Sequence, residues 1–570
     1  MKLLLAALHS KYAHSSLALP CLASYCKEIS GIDISIREFT INENPNIVLS
    51  SIIKEDARIV AFSCYIWNTG QILSIASSIK KKHPHTFIIL GGPEVSFDAR
   101  DILKANPFID CIVKGEGEST FRGLVKALSV SGNKISLKEL KGVSLRLGDK
   151  IIDNGPPMQI SDLDEIPSPF ASGLVNMSKP LIYYETSRGC PFTCAFCLSA
   201  IEGKVRSFSM DRIRCDLGYL IKNGTGTIKF VDRTFNYNAK RANEIWSFII
   251  EKGISRKYHF EIAADLLTDE NIELLKYVPE GAFRFEIGVQ SIAEETLHSV
   301  GRDSDLERLF ANVKRLIDET KVKIHLDLVA GLPGENFKGF LQSLERLFLL
   351  KPHHIQVEPL KVLKGAPMMA IAAKDGYRWA HLPPYRIISS PSLNEGEIEQ
   401  IEAIGRLLEL LYNSGRFRAS LEALSSVMPL SEFFAHFALF WGKEGITTLP
   451  MEGLFDLLWR FVGGLIDMVA QELLAEALTF DRLRAGYPDL KKMPSYFTCF
   501  SERKGDDYKV SKNEVMEFRK KLGISPKSKA RAIKWHFGRD YRDGIKEEAV
   551  RLTFVYISTS GLKQEIRVVT

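Results

Sequence analysis

The 570-residue sequence lacks several features that would have assigned it to a class at once. It has no run of about 18 consecutive apolar residues, so no membrane span is expected. Its apolar start, Leu3 to Leu8, is too short for the core of a secretory signal, and His9, Ser10 and Lys11 follow it. We read it as a buried first strand in a cytoplasmic protein. Cysteine is scarce, with 9 residues too scattered for a disulfide framework. Excess charge of one sign is missing too. The balance of 75 Lys and Arg against 69 Asp and Glu leaves +6, which by itself gives no ground for a nucleic-acid partner. There is no internal repeat and no low-complexity tract. A content of 45% hydrophobic and 25% charged residues excludes a disordered, collagenous or coiled-coil chain.

What is present is alternation. Leu3–Leu8, Ile32–Glu38, Ile59–Cys64, Phe87–Leu90 and Cys111–Val113 are short and apolar or β-branched, which predicts strands. Ser16–Lys27, Gln71–Lys82 and Ser119–Leu128 have helical spacing. Strand–helix alternation implies an α/β fold with a doubly wound parallel sheet, whose ligands bind at the carboxyl ends of its strands. Those ends carry His9 to His14, Ser63-Cys64-Tyr65, Gly91-Gly92-Pro93 and Gly115-Glu116-Gly117-Glu118. No Gly-x-Gly-x-x-Gly follows the first strand, so the dinucleotide fingerprint is missing.

Residues 151–180 lose periodicity and read as a linker, punctuated by Pro156-Pro157 and by Pro167 and Pro169. Alternation resumes at Leu181, with strands predicted at 181–186, 227–232, 258–264, 282–289, 322–329 and 354–359. Six such units suit a partial parallel barrel, smaller than the usual eight. From about 385 the pattern is mainly helical. Glu397–Tyr412 and Gly453–Leu478 are expected as amphipathic helices, and Val550–Ser558 with Ile566–Val569 as a closing hairpin. The expected organisation is therefore a sheet domain at 1–150, a linker, a barrel at 181–384 and a mainly helical domain at 385–570. Lys and Arg between 500 and 546 alternate with Tyr508, Phe518, Trp535 and Phe537, which is read as a solvated helix face with core aromatics, contact with an anionic partner being the alternative. Cys215 and Cys499 are read as buried apolar residues.

The sharpest local feature is the run Ser187-Arg188-Gly189-Cys190-Pro191-Phe192-Thr193-Cys194-Ala195-Phe196-Cys197. Three thiolates in one loop suit a structural zinc site or an iron–sulfur cluster. Zinc usually takes four protein ligands, and no fourth stands nearby; a cubane cluster with one open iron fits three. This spacing after the first strand of a parallel barrel resembles the radical S-adenosylmethionine (SAM) superfamily. The resemblance implies a 4Fe–4S cluster on Cys190, Cys194 and Cys197, with SAM chelating the fourth iron and Phe196 near its adenine. Glu286-Ile287-Gly288-Val289-Gln290, Gly301-Arg302 and the run Asp327 to Glu335 are similar to the coproporphyrinogen-dehydrogenase-like branch. From that likeness Glu261 is expected at the SAM amino group, Gln290 and Asp327 at the ribose, and Arg302 at the carboxylate, where a guanidinium suits a two-oxygen anion. The usual Gly-Gly-Glu at the second strand is replaced by Val231-Asp232-Arg233-Thr234-Phe235, as in the cobalamin-binding subset. Asp232 or backbone carbonyls are candidates for its contact.

Placed before such a barrel, the N-terminal sheet resembles a cobalamin-binding domain. Ser63, Gly91, Gly92, Gly115 and Glu116 are then the candidate cobalamin contacts. The Asp-x-His-x-x-Gly signature is incomplete: His9 is there, without the aspartate and glycine. A cobalt ligand from His9 or His14, or a loop histidine packed beside the corrin, both remain open. The last 185 residues resemble a C-terminal extension of unassigned function. The family likeness implies SAM cleavage to a 5′-deoxyadenosyl radical and methyl transfer to an unactivated carbon. It also implies a small-molecule or peptide substrate and an electron donor such as flavodoxin or ferredoxin. Ring formation is the alternative, as in the anaerobic magnesium-protoporphyrin cyclases, and a cluster-bearing sensor is an alternative of another class. A methylthiotransferase acting on RNA is disfavoured, because the N-terminal domain has no second cysteine cluster.

Overall fold

The structure, a computed structural model, describes the chain except for residues 130–136, 138, 202, 447, 466, 490–493, 498–509, 526–527 and 559–563. Cys499 and Tyr508 therefore lie outside the described residues. The chain divides into two units. The first is Met1–Asp327 with Gly331–Glu335 and Pro359–Asn394; the second is Leu328–Ala330, Asn336–Glu358 and Glu395–Thr570.

In the first unit β1 (Lys2–His9), β2 (Asp33–Thr40), β3 (Ile59–Ser63), β4 (Phe87–Gly91) and β5 (Cys111–Val113) form a parallel sheet in the order β2-β1-β3-β4-β5. Every residue of β1 after Lys2 is buried, as expected for a strand covered on both faces. The pleat sends Leu4, Ala6 and Leu8 into one core with Ile72, Ile75 and Ile79 of the helix Thr69–Lys82. Leu3, Leu5 and Ala7 go into the other, with Phe121, Leu124 and Val125 of the helix Glu118–Ser129. Each Leu so buried is worth about 1.5–3 kcal/mol. The strand order reverses between β1 and β3, where crevices for ligands open in such sheets. Sequence reading missed an antiparallel hairpin, β6 (Val143–Leu147) and β7 (Lys150–Asp153), added at the β5 edge.

A second sheet follows. Its strands are β8 (Leu181–Tyr184), β11 (Thr227–Phe230), β12 (Tyr258–Ile262), β13 (Phe283–Gln290), β14 (Lys323–Ala330) and β15 (His354–Pro359), in the order β15-β14-β13-β12-β11-β8. Between β8 and β11 a two-residue ribbon, β9 (Ser187–Arg188) against β10 (Arg206–Ser207), closes the cysteine loop. These strands alternate. Phe230, Phe260, Phe283 and Phe285 are buried together with Trp246 of the helix Ala239–Glu251, while Lys229, His259, Glu261 and Glu286 occupy the intervening positions. The result is the expected α/β architecture, a doubly wound sheet followed by a six-stranded parallel one. A short ribbon, β16 (Arg378–Trp379) with β17 (Ile387–Ser389), follows them.

The second unit is mostly helical. The helix expected at Gly453–Leu478 is two, Met451–Val462 and Met468–Ala485, because Gly463-Gly464 interrupts it and Asp467 caps the next start by accepting from the Ala470 amide. Asn413 donates to the Ile355 carbonyl and accepts from its amide, both at 2.9 Å, which gives the motif Tyr412 to Phe417 a strand-edge role. The closing hairpin is present as β19 (Val550–Ser558) and β20 (Gln564–Val569). A third strand, β18 (Lys529–Phe537), joins it. Trp535 and Phe537 are buried while Lys529 and Arg531 are exposed, so this alternation is a two-faced strand. Cys215, expected to be buried, is exposed on the helix Met210–Asn223. Among the described residues no single helix is long and apolar enough to cross a membrane.

Candidate functional site

The cysteine loop leaves β8 and is fixed at its base. Asp232, fully buried after β11, accepts hydrogen bonds from the Thr186 amide (3.0 Å) and from the Thr186 and Ser187 hydroxyls. Burial pushes its carboxyl up, against the pull of those bonds. Asp232 therefore anchors the loop instead of facing a ligand, as its place in the missing Gly-Gly-Glu had implied. At Gly189, where φ is +93°, a Cβ would stand 2.9 Å from the Lys204 carbonyl oxygen, so the turn before Cys190 needs glycine. Phe196 is half-buried beyond it. A pocket of about 430 Å³ is lined by Cys190, Pro191, Phe192, Thr193, Ser199 and Lys204, among others. It touches the site at Cys190 alone among the predicted residues.

Among the described residues each sulfur has one polar neighbour. The Thr234 hydroxyl is 3.4 Å from Cys190 Sγ, the Ser199 amide 3.4 Å from Cys197 Sγ, and Arg302 Nη1 3.7 Å from Cys194 Sγ. Arg302 also donates through Nη2 to the Gly288 carbonyl oxygen at 2.5 Å and lies over the Phe192 ring. Gln290, at the end of β13, adopts φ +70°. Its side chain folds over Gly288, where a Cβ would stand 2.1 Å from Gln290 Nε2. The glycine two residues earlier thus makes room for the glutamine. Gln290 Oε1 is buried and has no hydrogen-bond partner. A buried acceptor left open in this way is costly and calls for a donor from a ligand, such as a hydroxyl.

Beside this group runs a charged lining that sequence reading recovered only in part. Lys229 Nζ lies 3.2 Å from both Glu261 and Glu286, and His259 Nε2 lies 2.8 Å from Glu286. His325 Nε2 lies 2.9 Å from Asp327 Oδ1. Burial raises the Glu261 and Asp327 carboxyls against the pull of Lys229 and His325 respectively. Burial raises Glu286 too, but the close His259 ring and the Lys229 charge outweigh it and hold the group at about 2. Glu261, expected at a ligand's amino group, already faces one ammonium, that of Lys229. The signal for Lys229, His259 and His325 was there as polar residues on strands otherwise rich in aromatic and aliphatic side chains.

At the carboxyl edge of the first sheet, Ser63 pairs in register with Ala7 on one side and Gly91 on the other, next to the β1/β3 switch point. Tyr65 and Trp67 stack there with centroids 4.6 Å apart, and Trp67 is largely exposed. Gly92, at φ +104°, would bring a Cβ to 2.5 Å from the Cys64 carbonyl oxygen, so the chain itself demands this glycine. Gly115 is likewise demanded by Pro157, whose Cγ is 2.6 Å from the position of a Cβ. Glu116 is engaged by the chain itself: Arg206 and Arg188 (3.3 Å) bind its carboxylate. Arg188 also pairs with Glu118 at 2.6 Å and Glu185 at 2.7 Å. His9 Nε2 is held by Glu38 at 3.0 Å, so a carboxylate does support it, from β2 instead of the missing signature aspartate. His14 bonds the Tyr183 hydroxyl, and burial with nearby His9 and Lys11 lowers its pKa.

Comparison with known proteins agrees with this arrangement. The B12 binding domain matches residues 3–125, the radical SAM superfamily residues 184–347, and a protein family of unknown function, DUF4080, residues 373–537. The 2-(S-pantetheinyl)-carbapenam-3-carboxylate methyltransferase of Streptantibioticus cattleyicolor is 23% identical over 61% of this chain and 53% of that protein. An uncharacterized methyltransferase of Pyrococcus horikoshii is 32% identical over 50% of this chain and 63% of its own length. An anaerobic magnesium-protoporphyrin IX monomethyl ester cyclase of Cereibacter sphaeroides is 27% identical over 46% of this chain and 44% of that one. The chain thus spans about half the length of the curated relatives it matches, slightly more for the Pyrococcus protein. Among solved structures, the cobalamin-dependent S-adenosylmethionine radical enzyme OxsB with aqua-cobalamin bound shares the fold. Its TM-score is 0.60 at 14% identity, over 86% of this chain and 82% of that one.

Proposed function

We propose that this chain, which belongs to the cobalamin-dependent radical SAM family, cleaves SAM reductively and transfers a methyl group to an unactivated carbon. The observation that carries the reading is the chain of neighbours at one strand end: three cysteines on one loop, the Arg302 guanidinium against Cys194 Sγ, and Gln290, whose side chain meets Arg302 over Gly288 and whose buried oxygen is unpartnered. The groups fit what they would hold. Cys190, Cys194 and Cys197 would ligate the cluster, which leaves one iron open for SAM. Gln290 and Asp327 would accept from ribose hydroxyls, and Arg302 would face the carboxylate. Glu261 would exchange the Lys229 ammonium for that of SAM. At the first sheet, Ser63 and Gly91 lie at the switch point, and the stacked Tyr65 and Trp67 offer a flat apolar wall to a macrocycle.

When bound, the cofactors supply the chemistry: one electron cleaves SAM to methionine and a 5′-deoxyadenosyl radical, and cobalamin carries the methyl group. The protein orients them. Asp232 fixes the base of the loop, and Gly288 lets Gln290 reach its place. Methyl transfer is favoured by the methyltransferase relatives; ring formation is the second reading, favoured by the cyclase relative. The substrate is a small molecule or peptide, and the electron comes from a flavodoxin- or ferredoxin-type donor.

The test uses the full chain, reconstituted anaerobically with iron, sulfide and cobalamin, then given SAM and a low-potential reductant. Methyl transfer uses a second SAM to load reduced cobalamin, so S-adenosylhomocysteine should form, up to one per bound cobalamin when no acceptor is added, beside 5′-deoxyadenosine. Only 5′-deoxyadenosine would favour ring formation. Neither product would leave a SAM-binding sensor and sink the enzyme reading.

A further inference from the structure

We propose that the Thr234 hydroxyl and the Arg302 guanidinium, together with the Ser199 amide, set the reduction potential of the cluster held by Cys190, Cys194 and Cys197. This rests on the cluster assignment above, gives Thr234 and Ser199 a task that the assignment does not require, and gives Arg302 a second one beside the SAM carboxylate. The carrying observation is the one-to-one match of donors to sulfurs: Thr234 with Cys190, Arg302 with Cys194, Ser199 with Cys197. A ligating cysteine is a thiolate and accepts, so the hydroxyl, the guanidinium and the amide all donate to it. Reduction adds one electron and one negative charge to the cluster. Donors aimed at its sulfurs stabilise that extra charge, so each raises the potential.

The donors are held rigidly. Thr234 is buried between Asp232 and Phe235, both fully enclosed. Phe235 packs against Phe230 and Trp246, and its amide donates to the Glu261 carbonyl oxygen at 2.8 Å. Arg302 is pinned by Nη2 on Gly288, which leaves Nη1 for the sulfur. The segment Val231 to Phe235, standing where Gly-Gly-Glu was expected, therefore does two things. Asp232 fixes the base of the loop, and Thr234 supplies a donor that neither a glycine nor a glutamate carboxylate provides. Thr234 acts through a ligand and is a positioning residue for electron entry.

The experiment is a redox titration of the reconstituted full chain without SAM, poised with titanium(III) citrate and mediators. The electron paramagnetic resonance signal of the one-electron-reduced cluster is the readout, and iron per chain is scored in parallel. Thr234→Val keeps the shape and removes the hydroxyl. At a poise that half-reduces the wild type, its ratio of reduced to oxidised cluster should fall roughly tenfold, about 59 mV for a one-electron couple. Thr234→Ser should restore the wild-type potential. Arg302→Gln should shift in the same direction through a different sulfur, and it decides the matter if Thr234→Val fails to take up iron. An unchanged potential in either fully loaded variant overturns the proposal. Absence of a four-iron cluster in the wild type would instead overturn the cluster assignment, which separates the two failures.

Discussion

The two parallel sheets of this chain spend their side chains differently. In the first, β1 is apolar from Leu3 to Leu8 and buried on both faces, so the strand interiors are used up by packing. Only the carboxyl edge, around Ser63, Gly91 and the Tyr65–Trp67 stack, is left for a ligand. In the second, one side of the strands is buried, with aromatics on β11, β12 and β13 and aliphatics on β14, while the other presents Lys229, Glu261, Glu286 and Asp327. A sheet apolar on both faces carries function at its rim; a sheet with one polar side carries it along its strands as well.

The strongest test of that contrast removes the second sheet's chemistry and leaves the first intact. Replacing Cys190, Cys194 and Cys197 together with alanine should abolish iron–sulfur absorbance and SAM cleavage while cobalamin is retained, as read by visible spectra and iron content. The reverse test attacks the rim of the first sheet. Gly92→Val forces a branched side chain into a φ of +104° against the Cys64 carbonyl. It should cost at least about 1–3 kcal/mol and release cobalamin, with the iron content unchanged. Smaller still, Arg302→Ala or Asp327→Ala should weaken SAM binding roughly tenfold to a hundredfold in equilibrium dialysis, at about 1.4 kcal/mol per decade. Unchanged affinity in both would move the SAM contacts elsewhere along the strands.

The smallest expected effect is electrostatic. Glu286 is held at about 2 in the folded protein. A carboxyl lowered on folding stabilises above its ordinary range near 4.5, and that stabilisation is lost as pH falls toward 2. After screening it is worth on the order of 1–2 kcal/mol. Glu286→Gln should flatten the pH dependence of denaturant midpoints over that window. The strands β1, β3 and β4, which carry no carboxylate, should add no such dependence of their own.

What sequence could and could not reveal follows from the range of each interaction. Leu3–Leu8 and the cysteine spacing are local, and both were legible. The break at Gly463-Gly464 was local too, but the amphipathic pattern on either side of it masked it. The hairpin β6–β7 was missed because Arg146 and Lys150 interrupt its short apolar runs. The ion pairs of Glu116 were invisible because a carboxylate at a strand end is unpaired as far as the neighbouring sequence goes. Its partners stand 72 and 90 residues away. Asp232 was visible as a departure from a pattern, while its task depends on Thr186 and Ser187, 46 and 45 residues earlier.

The ion network around Arg188 has a consequence for how such proteins can be recombined. Arg188 stands two positions before Cys190, and its guanidinium is shared by Glu185, Glu118 and Glu116, with Arg206 closing the circuit. Two of those carboxylates belong to the first sheet's rim, and both arginines to the ribbon that closes the cysteine loop. A chimera that joins this N-terminal portion to a foreign barrel, or the reverse, inherits half of the set. It would strand buried charge at the seam, a loss of about 3–5 kcal/mol for each orphaned partner. Glu116, Glu118, Arg188 and Arg206 form a lock and key within one chain, and any exchange of parts has to carry all four.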